Sequence, residues 1–226
     1  MIYVTSDIHG DIEHFFSIVN TLKEDDVLYI LGDVIDRGRN SLEILKIIQE
    51  NKNIILIKGN HEWMLHQMIE LYYVKDIFQK AYKQSLANYI ENGGQHTFEH
   101  FLSLNEIEKD ELYQYLKTLP YYAVVDNYIL VHGGYNMKYY KEGTDVYDFL
   151  KSQYEFDILW VRDEFILHNS FPGYKTIFGH TVTHEISGEY KIWYSKDKIG
   201  IDCGAFLSSG KQALLRLDDL KEFYFE

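Results

Sequence analysis

Asp, His and Asn stand at the ends of four short β-branched runs. Ile2–Thr5 ends in Ser6-Asp7-Ile8-His9-Gly10, and Val27–Leu31 in Gly32-Asp33-Val34-Ile35-Asp36-Arg37-Gly38. Ile54–Lys58 ends in Gly59-Asn60-His61-Glu62, and Tyr128–Val131 in His132-Gly133-Gly134. In an α/β sheet the strand ends gather on one edge, where ligands bind. Carboxylate, imidazole and carboxamide groups repeated along that edge are hard and borderline metal ligands converging on one place.

Between these runs the sequence reads as helix. Ile12, Phe15, Phe16, Val19 and Leu22 mark one helical face over Asp11–Leu22. Ser41 is a good N-cap for a helix over Ser41–Gln49, and the third run feeds a helix over Asn60–Tyr73. This alternation predicts a mostly parallel sheet covered on both faces. Residues 74–119 break it with helical, aromatic sequence interrupted by Asn92-Gly93-Gly94, so a helical cap is expected beside the ligand edge. Strands resume at Tyr121–Val125 and Tyr128–Val131, joined by the turn pair Asp126-Asn127. After a helical stretch near Asp145–Lys151 they recur at Lys175–Phe178, Lys191–Tyr194, Lys198–Ile201 and Gln212–Leu217. The second half is therefore expected to be a more antiparallel sheet packed on the first. With no repeat, low-complexity tract or linker, residues 1–226 read as one α/β domain.

Composition removes whole classes of function. A net charge of −13 argues against general nucleic-acid binding, which needs Lys and Arg to neutralise phosphates. No apolar run approaches the ~20 residues that span a bilayer, so no membrane partner is expected. Cys203 is the only cysteine, which leaves no intrachain disulfide or thiolate cluster. Ser209 stands six positions on, where a cysteine-dependent phosphatase loop needs Arg. No Gly-x-x-x-x-Gly-Lys loop supports a kinase or ATPase. No leader-like segment precedes Ile2–Thr5, so a cytoplasmic location is expected.

Each site candidate alone has a plain structural reading. Asn60 suits a helix N-cap. Asp33, Asp36 and Arg37 suit a capped turn with an ion pair, and Arg162 suits a surface pair with Asp163 or Glu164. His132, and His180 in Gly179-His180-Thr181, suit packed histidines. Taken together, the strand-end motifs and the late Gly-His-Thr resemble the phosphoprotein phosphatase branch of the calcineurin-like metallophosphoesterases, in its compact bacterial and bacteriophage form. The resemblance runs from Asp7 to about Leu217. It includes Asn92-Gly93-Gly94, Leu159-Trp160-Val161-Arg162 and Ile201-Asp202-Cys203-Gly204.

The resemblance implies a fold of two packed mixed β-sheets flanked by helices, with a helical cap insertion at about 74–119. It also implies a dinuclear centre. Asp7, His9 and Asp33 would hold one metal, and Asp33 would bridge to a second held by Asn60, His132 and His180. Such ions, about 3.5–4 Å apart, activate a shared water and clamp phosphoryl oxygens; in the family a bridging hydroxide attacks phosphorus in line. Arg37, Arg162 and Asn60 would bind the phosphate, since a guanidinium matches it in bidentate fashion. His61, oriented by Asp36, would protonate the leaving oxygen. The donors suit Mn²⁺, with Fe or Zn²⁺ as alternatives.

Two departures bear on the substrate. Lys58 stands where many family members have Arg, and it lacks the guanidinium fork. Val182 stands where other branches carry a second late His, which favours the phosphoprotein phosphatase branch. The expected activity is Ser/Thr protein phosphatase, on a phosphorylated protein. The rival is a symmetrical dinucleoside tetraphosphate hydrolase acting on a nucleotide substrate; Glu62 favours the first, because the hydrolases more often carry Asp there. A catalytically silent metal-binding regulator would show a lost ligand or general acid, and the motifs are complete.

Overall fold

The computed structural model describes residues 1–226. The N-terminal part alternates β1 (Ile2–Thr5), α1 (Ile12–Val19), β2 (Val27–Ile30), α2 (Ser41–Glu50), β3 (Ile54–Leu56) and α3 (Asn60–Tyr73). Three helices follow, α4 (Gln79–Glu91), α5 (Gln95–Ser103) and α6 (Glu106–Thr118). Strands resume at β4 (Tyr122–Val125) and β5 (Tyr128–Val131). Short helices α7 (Val146–Lys151), α8 (Glu155–Trp160) and α9 (Asp163–Leu167) precede β6 (Lys175–Phe178) and α10 (Thr183–Ser187). The chain closes with β7 (Trp193–Tyr194), β8 (Lys198–Gly200), β9 (Gln212–Arg216) and β10 (Lys221–Phe225).

Two five-stranded sheets result, with strand orders β10-β9-β1-β2-β3 and β4-β5-β6-β8-β7. In the first, β1, β2 and β3 run parallel while β9 and β10 are antiparallel additions. Both sheets are mixed, as the resemblance implies, but the second is not more antiparallel than the first as the order of strands suggests. Its middle strands β5, β6 and β8 are parallel, and only the outer pairs β4–β5 and β7–β8 are antiparallel. The last predicted strand also belongs elsewhere, lying against β1 in the first sheet. The cause is burial on two sides. Along β9, Leu214 faces the helices and Ala213 and Leu215 face the second sheet, so the strand needs a position covered on both faces. The Thr5 hydroxyl donates to the Ala213 carbonyl at 2.6 Å and pins β9 there.

Side-chain alternation divides the interior into three layers. Val4, Leu31, Leu130, Ile177, Ile199 and Leu215 fill the space between the sheets. Tyr3, Leu28, Ile30 and Leu56 face outward onto α1, α2 and α3, while Ile129, Val131 and Phe178 meet α7 and α9 on the far side. The helices of residues 79–118 are more than a lid. Phe98, Phe101 and Leu116 join the first of the outer layers, and they reach the strand-end region through Tyr89 and Asn92.

One cap differs from expectation. Asn40, not Ser41, occupies the N-cap of α2, and it makes no side-chain cap bond. The Ser41 hydroxyl is committed elsewhere, accepting from the Asp36 amide at 2.9 Å and from the Thr97 hydroxyl at 3.0 Å. The Asp11 carboxylate caps α1 through the Glu13 and His14 amides. Phe101→Ala, which empties a fully buried site where α5 packs on Tyr72 of α3, should lower unfolding stability by about 3–5 kcal/mol in denaturant titration. A loss below about 1 kcal/mol would show that these helices sit outside the core.

Candidate metal centre

The exits of β1, β2, β3, β5, β6 and β8 deliver Asp7 and His9, Asp33, Asn60, His132, His180 and Asp202 to one edge of the sandwich. Their backbone is unusual. Of eight non-glycine residues with positive φ, six are Asp7, His9, Asp33, Asp36, Arg37 and His180. Such conformations cost about 1–3 kcal/mol each and persist only where the surroundings over-determine them. Here the strand exits are laced together. The Asp7 amide donates to the Gly32 carbonyl, the His9 amide to Asp33 (2.9 Å) and the Gly10 amide to Val34 (2.7 Å). Gly32 has φ +79, and a Cβ there would stand 2.5 Å from the Gly59 Cα, so the second and third exits touch backbone to backbone.

The side chains form two donor groups that share Asp33: His9–Asp33–His61 and Asp33–His132–His180. Every member is buried. The imidazoles are set by carbonyl groups, as in metal sites where the outer ring nitrogen is fixed. His9 Nδ1 donates to the Ile35 carbonyl at 3.0 Å and His132 Nδ1 to the Leu31 carbonyl at 2.6 Å. Both Nε2 atoms therefore turn inward. His132 Nε2 lies 2.8 Å from Asn60 Oδ1 and 3.4 Å from Asp33 Oδ2, a convergence that demands positive charge, either a proton or a cation. His180 Nε2 is buried with no hydrogen-bond partner at all. The orphaned His180 nitrogen, with the Nε2 atoms of His9 and His132 gathered around a shared carboxylate, fits a pair of divalent ions, and this donor set suits Mn²⁺, Fe or Zn²⁺.

Charge is distributed to match. Burial, reinforced by neighbouring His61, holds His9 well below the usual imidazole range, and burial with His132 does the same to His180. Both are thereby kept as neutral lone-pair donors. Burial works to raise the Asp33 carboxyl, but His132 and His61 outweigh it and hold the group well below the usual range. Asp7 stands in the wall of the same cavity yet outside the two donor groups, its Oδ2 accepting the His180 amide at 3.1 Å.

A family model for calcineurin-like phosphoesterases matches residues 1–199. The chain belongs to that family. Members of that family are hydrolases of phosphoester bonds that work through a divalent metal centre. The chain is 26% identical over 220 residues to Serine/threonine-protein phosphatase 2 of Salmonella typhimurium, covering 92% of this chain and 88% of that one. It is likewise 26% identical over 137 residues to the symmetrical bis(5'-nucleosyl)-tetraphosphatase of Nitrosospira multiformis. That match covers 59% of this chain and 43% of the relative, so this calcineurin-like chain aligns with under half of that protein. A crystal structure provisionally named a diadenosine tetraphosphatase shares the fold, with a TM-score of 0.63, 16% identity, and coverage of 99% of this chain and 91% of that one.

Further groups line the same cavity or stand back from it. A cavity of about 190 Å³ is bounded by His9, Asp33, Asn60 and His61 on one side and by Arg37 and Arg162 on the other. Arg37 donates to His9 Nε2 at 2.6 Å and lies over the Phe206 ring at 3.8 Å. Arg162 pairs with Glu185 at 3.8 Å, not with its sequence neighbours Asp163 or Glu164. Lys58 is absent from the cavity wall. It is buried beneath Tyr121, 4.8 Å from the ring, while Tyr121 and Trp63 both donate to Glu155 above it. Asp202, 3% exposed at the cavity, was legible by the same rule as Asp7: it ends the run Ile199–Ile201.

Glu62 carries a role that its place in Gly-Asn-His-Glu does not disclose. Its fully buried carboxylate accepts the amides of Asp33, Val34, Ile35 and Gly59. Burial, with Asp33 close by, pushes the group up to about 7 despite those donors. Glu62→Gln turns two donors against these amides and should cost about 1–3 kcal/mol in urea denaturation. A loss below about 0.5 kcal/mol would remove Glu62 as the bracket of the site. Lys58→Arg should leave KM for a phosphoester substrate unchanged, because the ammonium does not face the cavity; a raised or lowered KM in steady-state assays would return it to the site.

Proposed function

We propose that this protein is a metal-dependent phosphomonoester hydrolase of the Ser/Thr protein phosphatase type. The observation that carries the reading is the His61–Asp36 pair at the wall of the cavity. His61 Nδ1 lies 2.7 Å from Asp36 Oδ2, both residues buried; His61 belongs to one of the two donor groups, and two guanidinium groups line the same cavity. Burial opposes the imidazolium, but Asp33 and Asp36 outweigh it and raise the His61 pKa. With Nδ1–H committed to Asp36, Nε2–H is the proton available to a leaving oxygen. Two divalent ions held by Asp7, His9, Asp33, Asn60, His132 and His180, when bound, supply an acidified water and charge neutralisation at phosphorus. Arg37, lying over the Phe206 ring, keeps the remaining edge of its fork for a phosphoryl oxygen, and Arg162 lines the same cavity.

The cavity, of about 190 Å³, has room for a phosphoryl group at the end of a side chain. The likeness to the Salmonella phosphatase extends over nearly the whole chain and supports the same reading. A second reading, symmetrical dinucleoside tetraphosphate hydrolysis, is favoured by the exposed Phe156 stacked on Trp160 at 5.5 Å, a flat aromatic surface at the cavity rim on which a base could lie. The named activities of several relatives also point there.

Chelated, Mn²⁺-reloaded protein assayed on a phosphoserine/phosphothreonine peptide and on diadenosine tetraphosphate separates the two. Higher kcat/KM on the peptide is expected; preference for the dinucleotide transfers the same chemistry to the second reading, and turnover of neither overturns both. His61→Asn should retain metal by elemental analysis while kcat falls by about 10²–10⁴. Wild-type turnover in that variant would end the general-acid assignment.

A further inference from the structure

The second oxygen of Asp36 points toward a further participant. Asp36 is fully buried, and while Oδ2 holds His61 Nδ1, Oδ1 accepts a hydrogen bond from the Tyr89 hydroxyl at 2.6 Å. Tyr89 comes from α4, 53 residues away, and is 2% exposed. The carboxylate is thus gripped by one donor on each oxygen, with its own backbone amide held by Ser41. The chain is shaped to admit that ring. A Cβ at Gly94 would lie 2.4–2.6 Å from three Tyr89 ring atoms, so any other residue there displaces the ring. The neighbouring Gly93 carbonyl accepts the Arg37 amide at 2.9 Å and ties the same hairpin to the Asp36–Arg37 turn. Burial and the Asp36 charge hold the Tyr89 hydroxyl well above the ordinary phenol range, so it remains a neutral donor.

We propose that Tyr89 is a positioning residue for proton transfer: it locks the Asp36 carboxylate and, through it, aims the His61 imidazole at the leaving oxygen. The inference rests on the reading of His61 as the general acid. In that step water adds its oxygen to phosphorus and the bond from phosphorus to the leaving oxygen breaks. The electron pair stays on the leaving oxygen, which takes the Nε2 proton and departs as an alcohol. One water proton remains on the phosphate and the other restores the imidazolium. Aim matters because proton transfer needs near-linear approach at hydrogen-bond distance. A carboxylate with a single donor can rotate about its side-chain bonds and carry the ring with it. The cap hairpin, remote from phosphorus, then sets how well the proton is delivered.

Leaving-group dependence tests this. A serine alkoxide requires the proton, whereas 2,4-dinitrophenolate departs without it. In Mn²⁺-loaded protein, Tyr89→Phe should lower kcat on a phosphoserine peptide about tenfold, the effect of one charge-assisted hydrogen bond. On 2,4-dinitrophenyl phosphate kcat should be unchanged, and KM should be unchanged on both. Equal losses on both substrates would make Tyr89 a packing residue, and no loss on either would make the bond irrelevant; both overturn the proposal. His61→Asn in parallel separates the two levels. If it too fails to discriminate between substrates, the general-acid reading falls; if it discriminates and Tyr89→Phe does not, only the inference falls. Gly94→Ala, which pushes the ring off Asp36 without touching the hydroxyl, should reproduce the same substrate dependence, and it carries the test should Tyr89→Phe not fold.

Discussion

The Glu62 carboxylate joins the two exits that matter most. It binds three consecutive amides after β2 and one at the start of α3, so the Asp33–Asp36 turn and the Asn60–His61 turn cannot separate. A second bracket, from the His61 amide to Asp33 Oδ1 at 3.0 Å, repeats the link. Left-handed backbone at Asp33, Asp36 and Arg37 is tolerable because these bonds leave the turn no other course. The positions of Asp33, Asn60 and His61 therefore depend on buried amides as much as on their own side chains.

Rigidity of that kind needs a firm base, which the sandwich provides. Parallel strands β1, β2 and β3 in one sheet and β5, β6 and β8 in the other send their ends to a common edge. The apolar layer between the sheets, with Val4, Leu130, Ile177 and Leu215 buried, fixes the distance between the two sets of loops. His132 and His180 from the second sheet thus meet Asp33 from the first, and the His180 amide reaches Asp7 across the gap. The site is a seam between two sheets, and neither half completes it.

Electrostatics then divides the histidines by task. His9 and His180 are held neutral by burial, ready to give lone pairs, while His61 is held toward its protonated form by Asp33 and Asp36. Identical side chains in one cavity are driven to opposite protonation states: burial and the neighbouring His61 prevail at His9, and the carboxylates of Asp33 and Asp36 prevail at His61. The helices of residues 79–118 reach the Asp36 carboxylate behind His61 through Tyr89, so the segment that interrupts the strand–helix alternation is tied to the cavity edge as well as to the core.

Much of this was legible along the chain. β-branched runs ending in Asp, His and Asn identified the parallel strands, the ligand edge and the cavity residues, because strand period and strand-end position are local properties. The second sheet was misjudged because pairing direction depends on where a strand is carried, and β9 reads alike beside either sheet. Ser41 looked like a cap because its preference is local, while the Asp36 amide it serves was brought to it by a turn. Lys58 resembled a substrate contact until packing placed Tyr121 over it. Sequence by itself determined which Asp, His and Asn residues stand at the strand ends that meet at the cavity. Tertiary structure alone decided which carboxylate braces which loop, which histidine is neutral, and that a tyrosine from the cap reaches Asp36, since each is set by burial and by partners distant in the chain.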